Sequence, residues 1–549
     1  MRSLAKYSWM ALVVLLHCAA HGQLPPVTFN WDAQPLAGTG FKAPLELPNG
    51  DILAVGTAGL SGGGAAVRCH RSLDGGRTWS YLYEIARDET PGADIGDGHI
   101  MMLRNGVILY SYRHNNFSGL PPAQQAYRIK VAQSANNGVS WAPHSTVASN
   151  TGLEGTLAGL WSSCLIELTS GTLQCYYDDE YTPGAGGFTN NQWLSMKTWD
   201  PAASSWSGRV TVSRAHNAGD LSRDGMCTVL EQDGGRLLCA LESVQTTGGH
   251  GNVVRYVTSN DGGRNWSWQW QERMVIYSPA DHRYNATAPW MARLSGGEIL
   301  CILTTDEDRA TPGESSTGIL YQDLKFALSY DNGATWTIPK QTLLPTSEAA
   351  GQTWRYALNT PAAGWETPAF NDTAWLQGLG GFGTAGTPEA VVRTTWNTGN
   401  IWVRQTFSLA EIPPGILQLR MHHDEDAEVY LNGVNATSVT GYTTVYRNEN
   451  ISAASSGAVH TGDNVIAIHC SQSGGGQYID AGLECVGNII DNHHPIYFSG
   501  FAELKAPART NTLLLQYIRN GALVTLRGLV ERQSGVGEWM RHETVSHNH

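Results

Sequence analysis

Two glutamates in the middle of the chain, Glu180 and Glu242, have the residue type and the setting for cleavage of a glycosidic bond. Glycosidases usually use two carboxyl groups, one that donates a proton and one that is ionised. Glu180 ends the run Y-Y-D-D-E at 176–180, and Glu242 follows the apolar run at 237–241. Acidic neighbours favour a protonated carboxyl group, so we predict Glu180 as the acid and Glu242 as the nucleophile. An exchange of the two roles stays open.

These carboxylates belong to a set of positions that recurs along the sequence. A glycine turn opens an apolar strand five times, at glycines 50, 106, 171, 235 and 297. The seventh residue after the glycine is polar in each copy: Thr57, Arg113, Asp178, Glu242 and Thr304. Copies related by rotation would place these side chains at one height, facing one end of the molecule. The charged members on three successive copies therefore predict a site at that end.

Other polar and aromatic residues are predicted to line the same end, because they precede or begin the first strand of a copy. They are Lys42, Asp97, His99, Trp161, Arg223, Asp224 and Tyr284. Tyrosine and tryptophan would stack there on sugar rings, and the alternative is that they fill the mouth of a channel. For Asp224, a simple salt bridge with Arg223 is a further alternative.

The element that must position these residues is a repeated octapeptide, S-x-D-x-G-x-x-W. It occurs at 72–79, 259–266 and 329–336, with Asn for Asp at 134–141 and in a degenerate form at 198–206. Its Asp can accept turn N–H groups, its Gly permits a positive φ, and its Trp packs back on the turn. Five copies at a spacing of about 60–70 residues indicate a repeat architecture.

Each copy reads as strand, tight turn, strand, loop, strand, octapeptide turn and strand, which is a four-stranded antiparallel sheet. Such units stack radially, so the sequence predicts an all-β fold with a six-bladed β-propeller. Five blades would occupy 23–349, and the sixth would follow at 489–549 with Trp539 as its tryptophan. Residues 350–488, rich in tryptophan and then in β-type runs, predict a β-sandwich inserted between blades 5 and 6.

The N-terminal residues 1–22 predict a cleavable signal peptide, since Arg2 and Lys6 precede a short apolar run and small residues follow. The apolar run is too short to span a bilayer. A secreted or periplasmic protein without a membrane span is therefore predicted. The net charge of −13 and the lack of a basic run argue against nucleic acid as a partner.

Neither a cofactor nor a metal site is predicted. The run H-H-D-E-D at 422–426 could suggest metal binding, but alternate strand residues point to opposite faces. The eight cysteines after residue 22 are interpreted as structural, with a bridge between Cys470 and Cys485 left open.

The octapeptides resemble the Asp-box repeats of the sialidase superfamily, over about residues 30–345 and 490–545. Within it, the chain resembles the exo-arabinanases of glycoside hydrolase family 93, which have six-bladed propellers. The matching motifs are L-Y-S-Y-R-H at 109–114, G-T-L-Q-C-Y-Y-D-D-E at 171–180 and D-G-M at 224–226.

This resemblance implies catalytic glutamates at Glu180 and Glu242, a substrate contact at His114, and exo-cleavage of α-1,5-arabinan with retention. Ser162 follows Trp161 where that family is expected to have Glu, which leaves the sugar less defined than the reaction. The insert, with N-I-W-V-R at 400–404 and E-V-Y-L-N-G at 428–433, resembles galactose-binding-like jelly rolls.

Two alternatives stay open. True sialidases carry an Arg-Ile-Pro motif whose Arg helps to bind the carboxylate of sialic acid, but this chain has Lys42 at that place. Arg113, Arg223 and Arg283 would then be anion contacts, with Tyr284 or Tyr497 as nucleophile. The other alternative is a non-catalytic glycan-binding propeller, because octapeptide turns indicate a fold and not an activity. Paired carboxylates at one end favour an exo-acting glycoside hydrolase with an oligo- or polysaccharide substrate.

Overall fold

The computed structural model describes residues 27–35, 44–152, 158–181, 191–216, 222–244, 251–269, 273–279, 281–307, 312–313, 315–316, 319–338, 340–409, 416–486, 496–505, 512–519 and 522–532. The predicted signal peptide at 1–22, Lys42 and Trp539 lie outside these residues. The described chain is all-β apart from one α-helix and three short 3-10 turns. It divides into two compact units. The first contains the described residues up to Leu320, Ala327–Thr337 and those after Pro495, and the second contains Tyr321–Phe326 and those within Ile338–His494.

Antiparallel sheets succeed one another along the first unit. The first sheet consists of β2 (Leu45–Glu46), β3 (Ile52–Gly59), β4 (Ala65–Ser72) and β5 (Ser80–Asp88). The second consists of β6 (Asp94–Met102), β7 (Ile108–Asn115), β8 (Ala126–Ser134) and β9 (Ala142–Thr151). The third consists of β10 (Leu160–Glu167), β11 (Leu173–Asp179) and β12 (Trp193–Asp200), with β13 (Ser205–Trp206) and β14 (Val210–Ser213) both paired to β12.

The fourth sheet consists of β15 (Gly225–Glu231), β16 (Leu237–Val244), β17 (Asn252–Ser259) and β18 (Met274–Tyr277). The fifth consists of β19 (Ala286–Arg293), β20 (Ile299–Thr305) and β23 (Asp323–Ser329), after a ribbon of β21 (Ser315–Ser316) and β22 (Ile319–Leu320). The sixth consists of β36 (Ile496–Leu504), β37 (Thr512–Arg519), β38 (Ala522–Arg532) and β1 (Val27–Pro35). Strand β1 pairs with β38 from Val27↔Arg532 to Pro35↔Val524, so the sixth sheet combines strands from both ends of the sequence.

The first strands of the six sheets lie side by side in a closed ring. Strand β2 contacts β6, and the series continues through β10, β15, β19 and β36 back to β2. Inside this circle of strands, the side chains of His99 in β6 and Trp290 in β19 pack edge to face, with their aromatic centroids 5.1 Å apart. Core clusters lie between neighbouring sheets, joining the first to the second, the second to the third and the third to the fourth. The ring brings equivalent ends of different sheets close to one another.

The octapeptide turns form the hydrogen bonds expected from their sequence. At 259–266, Ser259 Oγ accepts from the Gly263 N–H at 2.9 Å, Asp261 Oδ1 accepts from the N–H groups of Arg264 and Asn265 at 3.0 Å, and the Trp266 indole donates to the Gly263 carbonyl at 3.0 Å. Gly263 has a φ of +90°, and a Cβ there would lie 3.0 Å from Met196 in the preceding sheet. The turn glycines at 76, 138 and 333 likewise lie against the preceding sheet of the ring. The octapeptides therefore join adjacent sheets.

The second unit contains two six-stranded sheets that share one hydrophobic core. One consists of β24 (Lys340–Leu344), β27 (Phe382–Gly383), β28 (Thr394–Thr395), β30 (Ile416–Asp424), β33 (Arg447–Asn450) and β35 (Tyr478–Val486). The other consists of β25 (Thr353–Ala357), β26 (Leu376–Leu379), β29 (Asn400–Leu409), β31 (Ala427–Leu431), β32 (Val434–Val439) and β34 (Gly462–Ser471). Helix α1 (Ala453–Ala458) precedes β34, and the Ser452 side chain accepts from Ser455 N at its start.

Two histidines of the H-H-D-E-D run contact backbone carbonyls. His422 Nε2 contacts the Pro388 carbonyl at 2.9 Å, and His423 Nδ1 contacts the Glu425 carbonyl at 2.7 Å. Among the described residues, no group of three or more His, Cys, Asp or Glu side chains is arranged to hold a metal ion. All eight cysteines from Cys69 onward are buried and none forms a disulfide, so the optional bridge between Cys470 and Cys485 is not made. No helix within the described ranges has the length and apolar character needed to cross a membrane.

Candidate active site

Four sheets of the first unit have a β-bulge in the first strand, near the seventh residue after the turn glycine. In three of them the pair before the bulge includes that residue, and in the third sheet it includes the next one, Asp179. The register shifts after Gly96, Leu160, Gly225 and Thr287. In three sheets the next residue has a left-handed backbone, with φ of 49° at Asp97, 50° at Met226 and 48° at Ala288. Bulges of this kind redirect side chains and are frequent beside active sites.

The seventh-position side chains contact the bulge of the next sheet in the ring. Thr57 Oγ1 donates to the Ile95 carbonyl at 2.9 Å, and the Arg113 guanidinium lies 5.8 Å from the centre of the Trp161 ring. Asp178 Oδ2 accepts from Met226 N at 3.3 Å, and Glu242 Oε2 accepts from Ala288 N at 2.8 Å. These four positions are therefore equivalent, as the turn spacing predicts. They lie at one end of the ring.

Glu180, just beyond β11, is held by the segment that leads into the fourth sheet. Both Nη atoms of Arg223 donate to Glu180 Oε1 at 3.0 Å, and Gly159 N donates to Oε2 at 3.2 Å. Arg223 Nη2 also donates to Gln192 Oε1 at 3.0 Å. The carboxylate is 8% exposed. Two donors from one guanidinium on a single carboxylate oxygen fix the position of that oxygen.

The acidic neighbours of Glu180 do not face its carboxylate in the way that their sequence positions suggest. Asp179 Oδ2 accepts from Arg209 at 3.0 Å, and Asp179 Oδ1 accepts from Asn150 at 3.1 Å. Burial raises the pKa of Asp179, while Arg209 opposes that shift. Asp178 is 2% exposed and lies against Gly225, where a Cβ would be 2.7 Å from its Cγ. The charge that contacts Glu180 is the positive charge of Arg223.

The two glutamates meet the same short segment, residues 223–226. Arg223 binds Glu180, and two residues later Gly225 is the β-partner of Glu242. Glu242 is half-buried at the end of β16, next to the bulge of the fifth sheet. Glu180 and Glu242 therefore both adjoin the segment 223–226, which leads from the third sheet into the fourth.

Trp161 and Arg113 adjoin the Glu180 side of this site. Arg113 donates to Asp94 Oδ2 at 2.8 Å and to Asp97 Oδ2 at 2.5 Å, so Asp97 orients the arginine that faces Trp161. A Cβ on Gly159 would lie 2.5 Å from both Glu180 Oε2 and Trp161 Nε1. Only glycine therefore allows the indole and the carboxylate to adjoin at this point.

Three other predicted site residues have different surroundings. His114 alternates with Arg113 on β7, and its Nε2 lies 2.7 Å from Asp88 Oδ2. Burial lowers the pKa of His114, and Asp88 opposes this shift. Asp224 is completely buried and binds Arg273, not Arg223. Tyr284 is half-buried in the turn before β19, where its N–H donates to the Asp281 carbonyl at 3.1 Å.

Sequence reasoning missed three residues that shape the site: Gly159, Gln192 and Arg273. Gln192 forms a parallel bridge with Arg223, a contact between distant segments that has no periodic signal. Arg273 precedes β18 without any motif. Gly159 directly precedes the strand that begins at Leu160, and this position is the one hint that the sequence offers.

No protein-family model matches the chain, and no curated protein matches it. Similar solved structures include an α-L-arabinanase of Penicillium chrysogenum complexed with arabinobiose, at 17% identity over 56% of this chain and 86% of that one, with a TM-score of 0.40. They also include the family 93 α-L-arabinofuranosidase of Fusarium graminearum, at 15% identity over 81% and 98% of the two chains, with a TM-score of 0.39. A third is the Hadza microbial sialidase Hz136, at 15% identity over 56% and 60%, with a TM-score of 0.38.

These neighbours belong to the groups that the sequence motifs resemble. At TM-scores below 0.5 the likeness carries no assignment of activity or substrate. The function therefore has to be argued from the geometry of the site.

Proposed function

We propose that this protein is an exported, exo-acting, retaining glycoside hydrolase whose first unit is a six-bladed β-propeller and whose second unit is an inserted β-sandwich. The observation that carries the proposal is the meeting of Glu180 and Glu242 at the segment 223–226. Two carboxyl groups on neighbouring sheets, at one end of a ring, form the minimum machinery for glycosidic bond cleavage.

We propose the exchanged assignment, with Glu180 as the nucleophile and Glu242 as the acid and base. Glu180 carries the countercharge of Arg223, which suits a nucleophile that must be ionised. Glu242, whose Oε2 accepts from the Ala288 N–H, takes the remaining role of acid and base.

In the first step, Glu242 protonates the leaving oxygen while a Glu180 oxygen attacks the anomeric carbon and forms a covalent glycosyl-enzyme. In the second step, Glu242 takes a proton from water, and the water releases the sugar with its original configuration. Arg223 and the Gly159 N–H hold the Glu180 carboxylate in place between turnovers.

The sugar proposed is a terminal α-L-arabinofuranosyl unit, on the strength of the motifs at 109–114, 171–180 and 224–226. Trp161, beside Glu180, would stack on the bound sugar. The arginines considered for a sialic acid clamp have carboxylate partners: Arg113 with Asp94 and Asp97, Arg223 with Glu180, and Arg283 with Asp281. This pairing does not favour the sialidase alternative. The carboxylate pair disfavours a purely glycan-binding role.

Replacement of either glutamate tests the reaction and the roles together. We expect Glu180→Ala and Glu242→Ala each to lower kcat for an aryl α-L-arabinofuranoside at least roughly a thousandfold, without a change in Tm. Added azide should rescue Glu180→Ala to a glycosyl azide of inverted configuration and Glu242→Ala to one of retained configuration. Glu89→Gln, at a carboxylate whose side chain is 76% exposed, is the matched control and should stay active.

Two fully active alanine variants would exclude the mechanism. Azide products of the opposite configurations would instead show that Glu180 is the acid and Glu242 the nucleophile, as the sequence predicts. Release of sialic acid from sialyl-lactose, with no cleavage of arabinan, would support the sialidase alternative instead.

A further inference from the structure

A cavity of about 650 Å³ lies between the second and third sheets of the first unit. Its walls come from the turn after β6, the strands β7 to β9, the turn between β10 and β11, and the end of β12. This volume falls within the range of about 300–1,000 Å³ found for small-molecule sites. The cavity is large enough for sugar units of an oligosaccharide chain.

An aromatic wall forms one side of the cavity. Trp199 and His144 both line it, with ring centroids 4.7 Å apart. Trp206 supports Trp199 from behind at 5.3 Å, and its indole donates to Ser145 Oγ at 2.9 Å. Burial lowers the pKa of the His144 ring. An aromatic wall of this kind offers a surface on which sugar rings stack.

The remaining lining combines apolar floor residues with hydrogen-bonding groups. Asn105, Gln133 and Thr172 present amides and a hydroxyl, and Glu167 and Asp200 supply carboxylates. Among the described residues that line the cavity there is no lysine or arginine. An anionic glycan would therefore meet two carboxylates in the lining and no lining cation, whereas hydroxyl groups of a neutral glycan find both donors and acceptors.

The cavity is separate from the candidate active site. On β11 it includes Leu173, while Asp178 lies five residues further along the same strand, at the end where Glu180 and Glu242 meet. At about 3.3 Å per residue, the two positions are roughly 17 Å apart. A ligand in the cavity would not occupy the catalytic carboxylates.

We infer that this cavity is a second binding site for a neutral oligo- or polysaccharide chain, with Trp199 as its stacking platform. The inference concerns binding and does not depend on whether Glu180 and Glu242 catalyse hydrolysis. Such a site would keep the protein on a polymer whose ends are processed elsewhere on the ring.

Affinity electrophoresis of the full chain tests the inference, with native gels that contain debranched arabinan, galactan or arabinoxylan as neutral probes and polygalacturonate as an anionic probe. The Glu180→Gln background keeps the probe intact. We expect at least one neutral probe to retard the protein, and Trp199→Ala to weaken that binding roughly tenfold. Tyr81→Ala, at a 58% exposed aromatic of the first sheet, is the matched control and should bind unchanged.

Gln133→Ala provides a second variant in case Trp199→Ala unfolds, and Tm is measured for each. Weaker binding in a folded Trp199 or Gln133 variant supports the site. Unchanged binding in both variants, stronger retardation by polygalacturonate, or no retardation by any neutral probe would overturn it. Because the second unit is untouched by these variants, binding that persists would be assigned to another surface.

Discussion

Two consecutive residues, Arg223 and Asp224, form ion pairs in very different surroundings. Arg223, with a 37% exposed side chain, binds Glu180 at the end of the ring where the candidate active site lies. Asp224 is completely buried and accepts from Arg273 Nη1 at 2.5 and 2.6 Å and from Ser213 Oγ at 2.5 Å. Arg223 and Asp224 are adjacent and oppositely charged, yet they do not pair with each other, and each forms its ion pair with a residue of a different segment.

The difference between the two pairs lies in their burial and not in their residue types, and burial decides whether a pair serves mainly the stability of the fold or the chemistry of the site. A buried pair is costly to break, because the remaining partner keeps an uncompensated charge in a poorly solvated place. In the Arg223–Glu180 pair only the carboxylate is buried, so the loss of the 37% exposed arginine should cost less stability than the loss of a partner of the fully buried pair. A third pair, Arg283 with Asp281, has side chains 71% and 40% exposed and extends the series to the surface.

The largest stability effect is expected from the buried pair. Asp224→Asn removes the negative charge and leaves the Arg273 guanidinium buried without it, which should lower the free energy of unfolding by about 3–5 kcal/mol. Urea denaturation followed by tryptophan fluorescence measures the change. The double variant Asp224→Leu/Arg273→Met should recover most of the loss, because it buries no charge. A single variant as stable as the wild type would remove the contrast between the pairs.

A change at Arg223 should act mainly on turnover. Arg223→Met frees the Glu180 carboxylate from its bidentate partner, so we expect kcat on an aryl α-L-arabinofuranoside to fall by roughly 10- to 100-fold. The free energy of unfolding should fall by less than for Asp224→Asn, since the Arg223 side chain is 37% exposed while both partners of the Asp224–Arg273 pair are buried. The pH profile of kcat should shift at its acidic side, and Arg223→Lys should restore part of the rate. An unchanged pH profile with a large loss of stability would make Arg223 a structural residue.

The smallest effect is expected at the surface pair. Hydrogen bonds from Arg283 lower the pKa of Asp281 to about 2. Its contribution to stability is therefore present above the ordinary aspartate pKa of about 3.9 and lost as the pH falls toward 2. Since solvent and salt screen this pair, Asp281→Ala should leave Tm unchanged at pH 7. A clear fall in Tm by calorimetry would show that the exposure of an ion pair does not determine how much the pair contributes to stability.

Sequence reasoning was sufficient wherever the relevant contacts repeat. The glycine-turn spacing predicts that Arg113, Asp178 and Glu242 are equivalent, and the side chains of Asp178 and Glu242 both accept from a bulge N–H of the next sheet. The octapeptide predicts its own hydrogen bonds, because they are local.

The ion-pair partners of the charged site residues could not be predicted from repeat spacing. Asp178 and Asp179 precede Glu180 in sequence, yet Glu180 binds Arg223, 43 residues away. The Asp224–Arg273 pair spans 49 residues and has no periodic signal in the sequence. Long-range pairing of single side chains depends on how sheets are placed around the ring, and no spacing rule encodes it.

The sixth sheet has a consequence for biogenesis. The backbone groups of its outer strand, Val27–Pro35, can pair only after Ala522–Arg532 has been synthesised. At a translation rate of about 5–20 residues per second, that delay is roughly 25–100 s for each molecule made. During this interval the early strand is an unpaired edge that invites contacts with other nascent chains.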